Sequence, residues 1–64
     1  MLSLQFNNKV TIVTGGARGI GRSIALKFAE AGSDIVIFDI LKQEAEDTTS
    51  HVISLGKRST FYQL

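Results

Sequence analysis

The sequence predicts an α/β protein: three parallel strands alternating with two helices, the first βαβαβ half of a doubly wound parallel sheet. Three observations carry this. Short runs of strand-forming residues alternate with longer stretches of helical periodicity. Each crossover is long enough to make neighbouring strands parallel and the connections right-handed. Glycines crowd the first strand-to-helix junction, from Gly15 to Gly21.

Val10-Thr11-Ile12-Val13 is a β-branched run bounded by Asn7-Asn8 and Gly15-Gly16, which reads as a strand buried on both faces. A helix is expected from about Gly19 to Ala31. Ile20, Ile24 and Phe28 recur every four residues with Ala25 and Ala29 beside them, and Arg22, Lys27 and Glu30 lie opposite. Gly32 is placed to stop that helix. Asp34 to Asp39 is the second strand, with Ile35 to Phe38 as its buried run. A more polar helix starts between Leu41 and Glu44 and runs to about Leu55. Ala45, Thr49, Val52 and Leu55 are expected to face inward, His51 to face water, and Gly56 to end it. Ser59 to Leu64 reads as the third strand.

Hydrophobic content of 44% and charged content of 20% describe a chain that buries a core rather than a disordered one. Yet a chain this short buries only roughly 60% of the surface its unfolded form exposes. Small domains usually add disulfides or a metal. Here there is no cysteine, and the one histidine, His51, has no companion ligands at useful spacing. Size and composition together point to residues 1–64 as a piece of one larger domain. A net charge of +1 gives no electrostatic case for nucleic acid or an anionic membrane. Met1 to Lys9 lacks the basic start and apolar run of a signal peptide, and no apolar stretch is long enough to span a bilayer. Absence of cysteine fits a reducing compartment. The expectation is a soluble cytoplasmic protein.

The glycine turn admits three readings. It can be a bare strand–helix turn, for which glycine supplies the backbone angles. It can be a nucleoside-triphosphate loop, since Gly16 to Ser23 spells GARGIGRS, but Arg22 stands where that loop carries a compact lysine. It can be a dinucleotide turn, where missing side chains let a pyrophosphate approach backbone N–H groups and the positive end of a helix. Ligands on doubly wound folds bind beyond the carboxyl ends of the strands, and both the turn and Asp39 are placed there.

The standard Gly-x-Gly-x-x-Gly spacing is absent. What stands here is Thr14-Gly15-x-x-x-Gly19-Ile20-Gly21, which resembles the short-chain dehydrogenase/reductase family at every fixed position of that family's first turn. The resemblance extends along the chain, through NKVTIVTGG, AEAGSDIVIFD and ISLGKRSTFYQL. It implies a Rossmann-like fold and an NAD(P)-dependent oxidoreductase that interconverts an alcohol and a ketone. It also implies a homo-oligomeric parent protein.

Within that resemblance, Gly15 makes the turn, and Gly19 and Gly21 allow backbone approach and close helix–strand packing. Ile20 matches the residue that relatives place beneath the nicotinamide side, beside its plain role as a helix-core residue. Thr14 is expected to tie the turn by a hydroxyl-to-backbone bond. Asp39, 18 positions after Gly21, fits the ribose hydroxyls of the adenosine half and repels a 2′-phosphate, which argues for NAD over NADP. Arg18 pulls the other way, since NADP-using relatives often carry a basic residue in this turn. Repulsion at the ribose is harder to escape than an arginine that swings to solvent, so NAD is the expected cofactor. No residue matches the family's Ser–Tyr–Lys group: Tyr62 lies in a strand and reads as packing. The chain is therefore expected to be the inactive cofactor-binding part of an enzyme, or else a stand-alone nucleotide-binding or interaction module. A 3-oxoacyl-thioester and a small alcohol or sugar remain open as substrates.

Overall fold

The structure, a computed structural model, describes residues 7–64. Residues 1–6, which include most of the segment weighed above as a signal peptide, lie outside the described residues. Strand β1 (Val10–Thr14) leads through the glycine turn into helix α1 (Gly19–Glu30). Strand β2 (Asp34–Asp39), helix α2 (Lys42–Ser54) and strand β3 (Ser59–Gln63) follow. The strands form one parallel sheet in the order β1-β2-β3, with Ile12 opposite Val36 and Val36 opposite Thr60. This is the expected βαβαβ unit, part of a Rossmann-like fold.

Local chemistry sets the boundaries. Gly32 adopts φ +108, and its N–H donates to Ala29 O while the Ser33 N–H reaches back to Phe28 O. These two bonds cap the orphan carbonyls at the end of α1 in a Schellman motif. Gly56, at φ +87, does the same for α2: its N–H meets Ile53 O, and the Lys57 N–H meets Val52 O. Both glycine stops fall where the sequence placed them.

Both helices pack on the same face of the sheet and against each other. Val13, Ile35 and Ile37 point into that layer and meet Ala25, Ala29 and Val52. The opposite face has no covering layer among the described residues. Ile12 is 64% exposed there, with Val10 also exposed, and Phe38 stacks on Tyr62 at 5.3 Å. The expectation that β1 is buried on both faces is therefore corrected: Val13 is its one buried residue. The reason is topological, since both crossovers lie on one side.

Two helix faces also differ from expectation. On α1 the buried positions are Ala25 and Ala29, whereas Ile20 is 80% exposed and Ile24 40% exposed. Small alanines let the helix lie close to the sheet, which rotates the isoleucines away from it. On α2 the buried residues are Ala45, Thr48 and Val52; Thr48 replaces the expected Thr49, and Leu55 is exposed. Positions 45, 48 and 52 are spaced by three and four, the spacing of a helix stripe. His51 is exposed, as expected.

Candidate functional site

The turn between β1 and α1 is built from backbone rather than side chains. Gly15 has φ +71 and Gly19 φ +63, values that L side chains rarely adopt. A Cβ added at either would meet no atom within 4 Å, so the turn presents open space on that side. Gly21 has the opposite constraint. A Cβ there would collide with the Gly15 carbonyl, so its hydrogen is what lets the first turn of α1 lie against the end of β1. Gly15 N–H donates to Phe38 O at 2.8 Å and extends the β1–β2 ladder into the turn.

Asp39 closes the site from the end of β2. It is only 8% exposed, and both carboxylate oxygens are engaged by backbone. Oδ1 accepts the Leu41 N–H at 2.9 Å, and Oδ2 accepts the Ala17 N–H at 3.0 Å. The Leu41 N–H, followed by that of Ala17, holds the carboxyl below its usual pKa; the Arg18 charge adds to this, and partial burial opposes it. The carboxylate is therefore ionised at neutral pH, and lone pairs remain on each oxygen for further donors.

Arg18 is the N-cap residue of α1, in extended backbone, with an exposed side chain that makes no capping bond. It forms no ion pair with Asp39 among the described residues. Ile20 is exposed beside the open side of the turn, which corrects its reading as a helix-core residue. Among the described residues the expected Thr14 hydroxyl bond does not form; the Gly15 N–H and the Asp39 carboxylate tie the turn instead. Arg22, expected on the solvent side, turns toward α2 and donates to Thr48 Oγ1 at 3.1 Å. The structure thus gathers Gly15, Arg18, Gly19, Ile20, Gly21 and Asp39 at the carboxyl ends of β1 and β2.

Three contributors escaped the sequence reading: Ala17, Thr48 and Arg22. Thr48 was no more legible than Thr49, because 45/49/52 and 45/48/52 are equally good helix stripes. Ala17 carried no signal, because its role is played by its peptide groups.

An open glycine turn at a helix N-terminus, flanked by an ionised carboxylate at the end of the next strand, defines a Rossmann-type nucleotide-binding unit. A family profile described as short chain dehydrogenase matches residues 9–64. The chain belongs to the short-chain dehydrogenase/reductase family. It is 37% identical over 59 residues to the cyclohexanol dehydrogenase of Acinetobacter sp. strain SE19, an alignment covering 92% of this chain and 24% of that protein. Among solved structures, it superposes on carveol dehydrogenase from Mycobacterium avium in complex with NAD at a TM-score of 0.89 and 29% identity, covering 94% of this chain and 26% of that one. It also superposes on L-sorbose reductase from Gluconobacter frateurii, complexed with NADPH and L-sorbose, at a TM-score of 0.90 and 25% identity, covering 98% and 24%. The chain spans about a quarter of the length of the curated relatives it matches. No helix among the described residues is long and apolar enough to cross a membrane.

Proposed function

We propose that these residues form the cofactor-binding part of an NAD-dependent oxidoreductase that interconverts a small alcohol and a ketone. In this reading the nicotinamide supplies the hydride chemistry, and the described residues bind and orient the other half of the cofactor. Backbone N–H groups of the Gly15–Gly21 turn and the positive end of α1 receive the pyrophosphate. Ile20 lies on the nicotinamide side of the turn. Asp39 accepts the ribose hydroxyls of the adenosine half.

The observation that carries the choice of NAD is the Asp39 carboxylate, ionised and fixed by two backbone N–H groups. A carboxylate so anchored cannot rotate away from a 2′-phosphate, whereas the exposed Arg18 is free to turn to solvent. Comparing turnover of the full-length protein with NADH and NADPH tests this: a preference for NADH is expected, and a clear preference for NADPH overturns it.

We also propose that residues 1–64 are part of one larger domain, whose remaining segments supply the catalytic residues and cover the apolar sheet face at Val10 and Ile12. The relatives' greater length and that exposed face support this over a stand-alone module. Expressed alone, the 64-residue chain is expected to associate and to melt without cooperativity. A monomeric, cooperative melt with NAD-dependent stabilisation supports the module instead.

A further inference from the structure

A glycine-rich turn has few side chains with which to fix its own conformation, so its order must come from outside. The Gly15 N–H, bonded to Phe38 O, fixes its start, and one peptide position fixes its middle. Ala17, at the middle of the turn, is 1% exposed, and it is tethered on both sides. Its N–H is held by Asp39 Oδ2 at 3.0 Å from the end of β2, and its carbonyl accepts the Thr48 hydroxyl at 3.1 Å from α2.

Thr48 is fully buried, and its hydroxyl sits at a junction. The one hydroxyl proton is shared between Ala17 O and Glu44 O, the latter at 3.2 Å. Arg22 Nη1, from α1, donates into the oxygen at 3.1 Å. Arginine has no acceptor, so the hydroxyl can only receive from it, and the hydroxyl proton remains available to the carbonyls. Arg22 Nη2 lies 3.4 Å from His51 Nδ1 on the next turn of α2, which keeps the guanidinium against that helix. None of these side chains is part of the open side of the turn.

We infer that Thr48 and Arg22 are positioning residues for the cofactor: through the Ala17 carbonyl they set the orientation of the turn that receives the pyrophosphate. The inference rests on the dinucleotide reading above. It makes cofactor affinity depend on side chains that lie outside the glycine turn, one on α1 and one on α2.

The test uses the full-length protein with Thr48→Val, Thr48→Ser and Arg22→Met. Affinities for NADH, ADP-ribose and adenosine are measured by calorimetry, alongside the melting temperature without ligand. Valine keeps the shape and removes the hydroxyl, leaving Ala17 O and Arg22 without their partner. It is expected to weaken NADH and ADP-ribose about 10-fold, with adenosine changed less than about twofold. Serine restores the hydroxyl and is expected to bind NADH within about twofold of the parent, and Arg22→Met to weaken it about threefold. Thr48→Val that binds NADH as the parent does, or that loses adenosine and NADH equally, overturns the inference. If Thr48→Val does not fold, unchanged NADH affinity in Arg22→Met overturns it. A parent protein that binds neither NADH nor NADPH sinks the dinucleotide reading itself, whereas a parent that binds NADH with all variants unaffected sinks only this inference.

Discussion

The Asp39 carboxylate accepts the Ala17 N–H at 3.0 Å, joining the end of β2 to the middle of the glycine turn across 22 positions of sequence. The residue expected to read the ribose is thus also a strut of the turn expected to hold the pyrophosphate. Replacing it disturbs both sites together. In Asp39→Asn the amide nitrogen must face one of two backbone N–H donors, Ala17 or Leu41. NADH affinity is expected to fall roughly 10- to 100-fold, with no compensating gain in NADPH affinity. Fluorescence titration with both cofactors checks this; an Asn variant that acquires tight NADPH binding contradicts the dual role.

The glycines of the turn separate by mechanism. Gly21→Ala drives a methyl group into the Gly15 carbonyl, which is backbone and cannot give way. A loss of about 1–3 kcal/mol in unfolding free energy is expected, read as a lower urea midpoint. Gly15→Ala meets no atom and carries only the strain of its left-handed backbone, about 1–2 kcal/mol. Its methyl group stands in the open space of the turn, so it is expected to lose cofactor affinity out of proportion to stability. Equal stability loss with intact NADH binding in Gly15→Ala would count against the turn as the pyrophosphate site.

Close packing of α1 on the sheet depends on alanine. Ala25 is fully buried, and Ala25→Leu has no room without moving the helix. Chemical denaturation is expected to register a loss of about 1–3 kcal/mol. Leucine placed at Lys27, which is exposed on the same helix, is expected to change stability by less than about 0.5 kcal/mol.

Acid stability follows from two carboxylates. The Arg58 N–H is the main influence that lowers the Asp34 pKa, against a smaller opposing effect of burial; the Arg58 side chain lowers it further, at 3.2 Å. The Leu41 and Ala17 N–H groups lower that of Asp39. A carboxyl whose folded pKa lies below its unfolded value of about 3.9 stabilises the fold above that pH and loses the contribution as pH falls through the folded value. The melting temperature of the full-length protein is therefore expected to decline as pH drops below about 4. Asp34→Asn is expected to make that decline shallower. An unchanged acid slope in the variant contradicts the assignment.

The order of elements, the two helix stops and the place of Asp39 at a strand end were legible because each is written in local chemistry. Runs such as Ile35 to Phe38 declare strands, glycines at positions 32 and 56 declare helix ends, and the crowding from Gly15 to Gly21 declares a sharp turn. The way the helices are rotated was not legible in the same way. Ile20 and Ile24 form as plausible an inward stripe as Ala25 and Ala29, and hydrophobicity alone favours the larger residues. What decides between them is how closely α1 must approach the sheet when Gly21 lies against the Gly15 carbonyl.

By itself, then, the sequence determined the alternating strands and helices, the turn's glycine spacing and the carboxylate at the end of β2, since these depend on backbone preferences over a few neighbouring residues. The tertiary structure alone decided that Arg22 turns inward to Thr48, that Thr48 rather than Thr49 is buried, and that Ala17 is gripped from both sides. Those choices depend on hydrogen bonds between groups 22 to 31 positions apart, whose partners are fixed only when the helices have settled on the sheet.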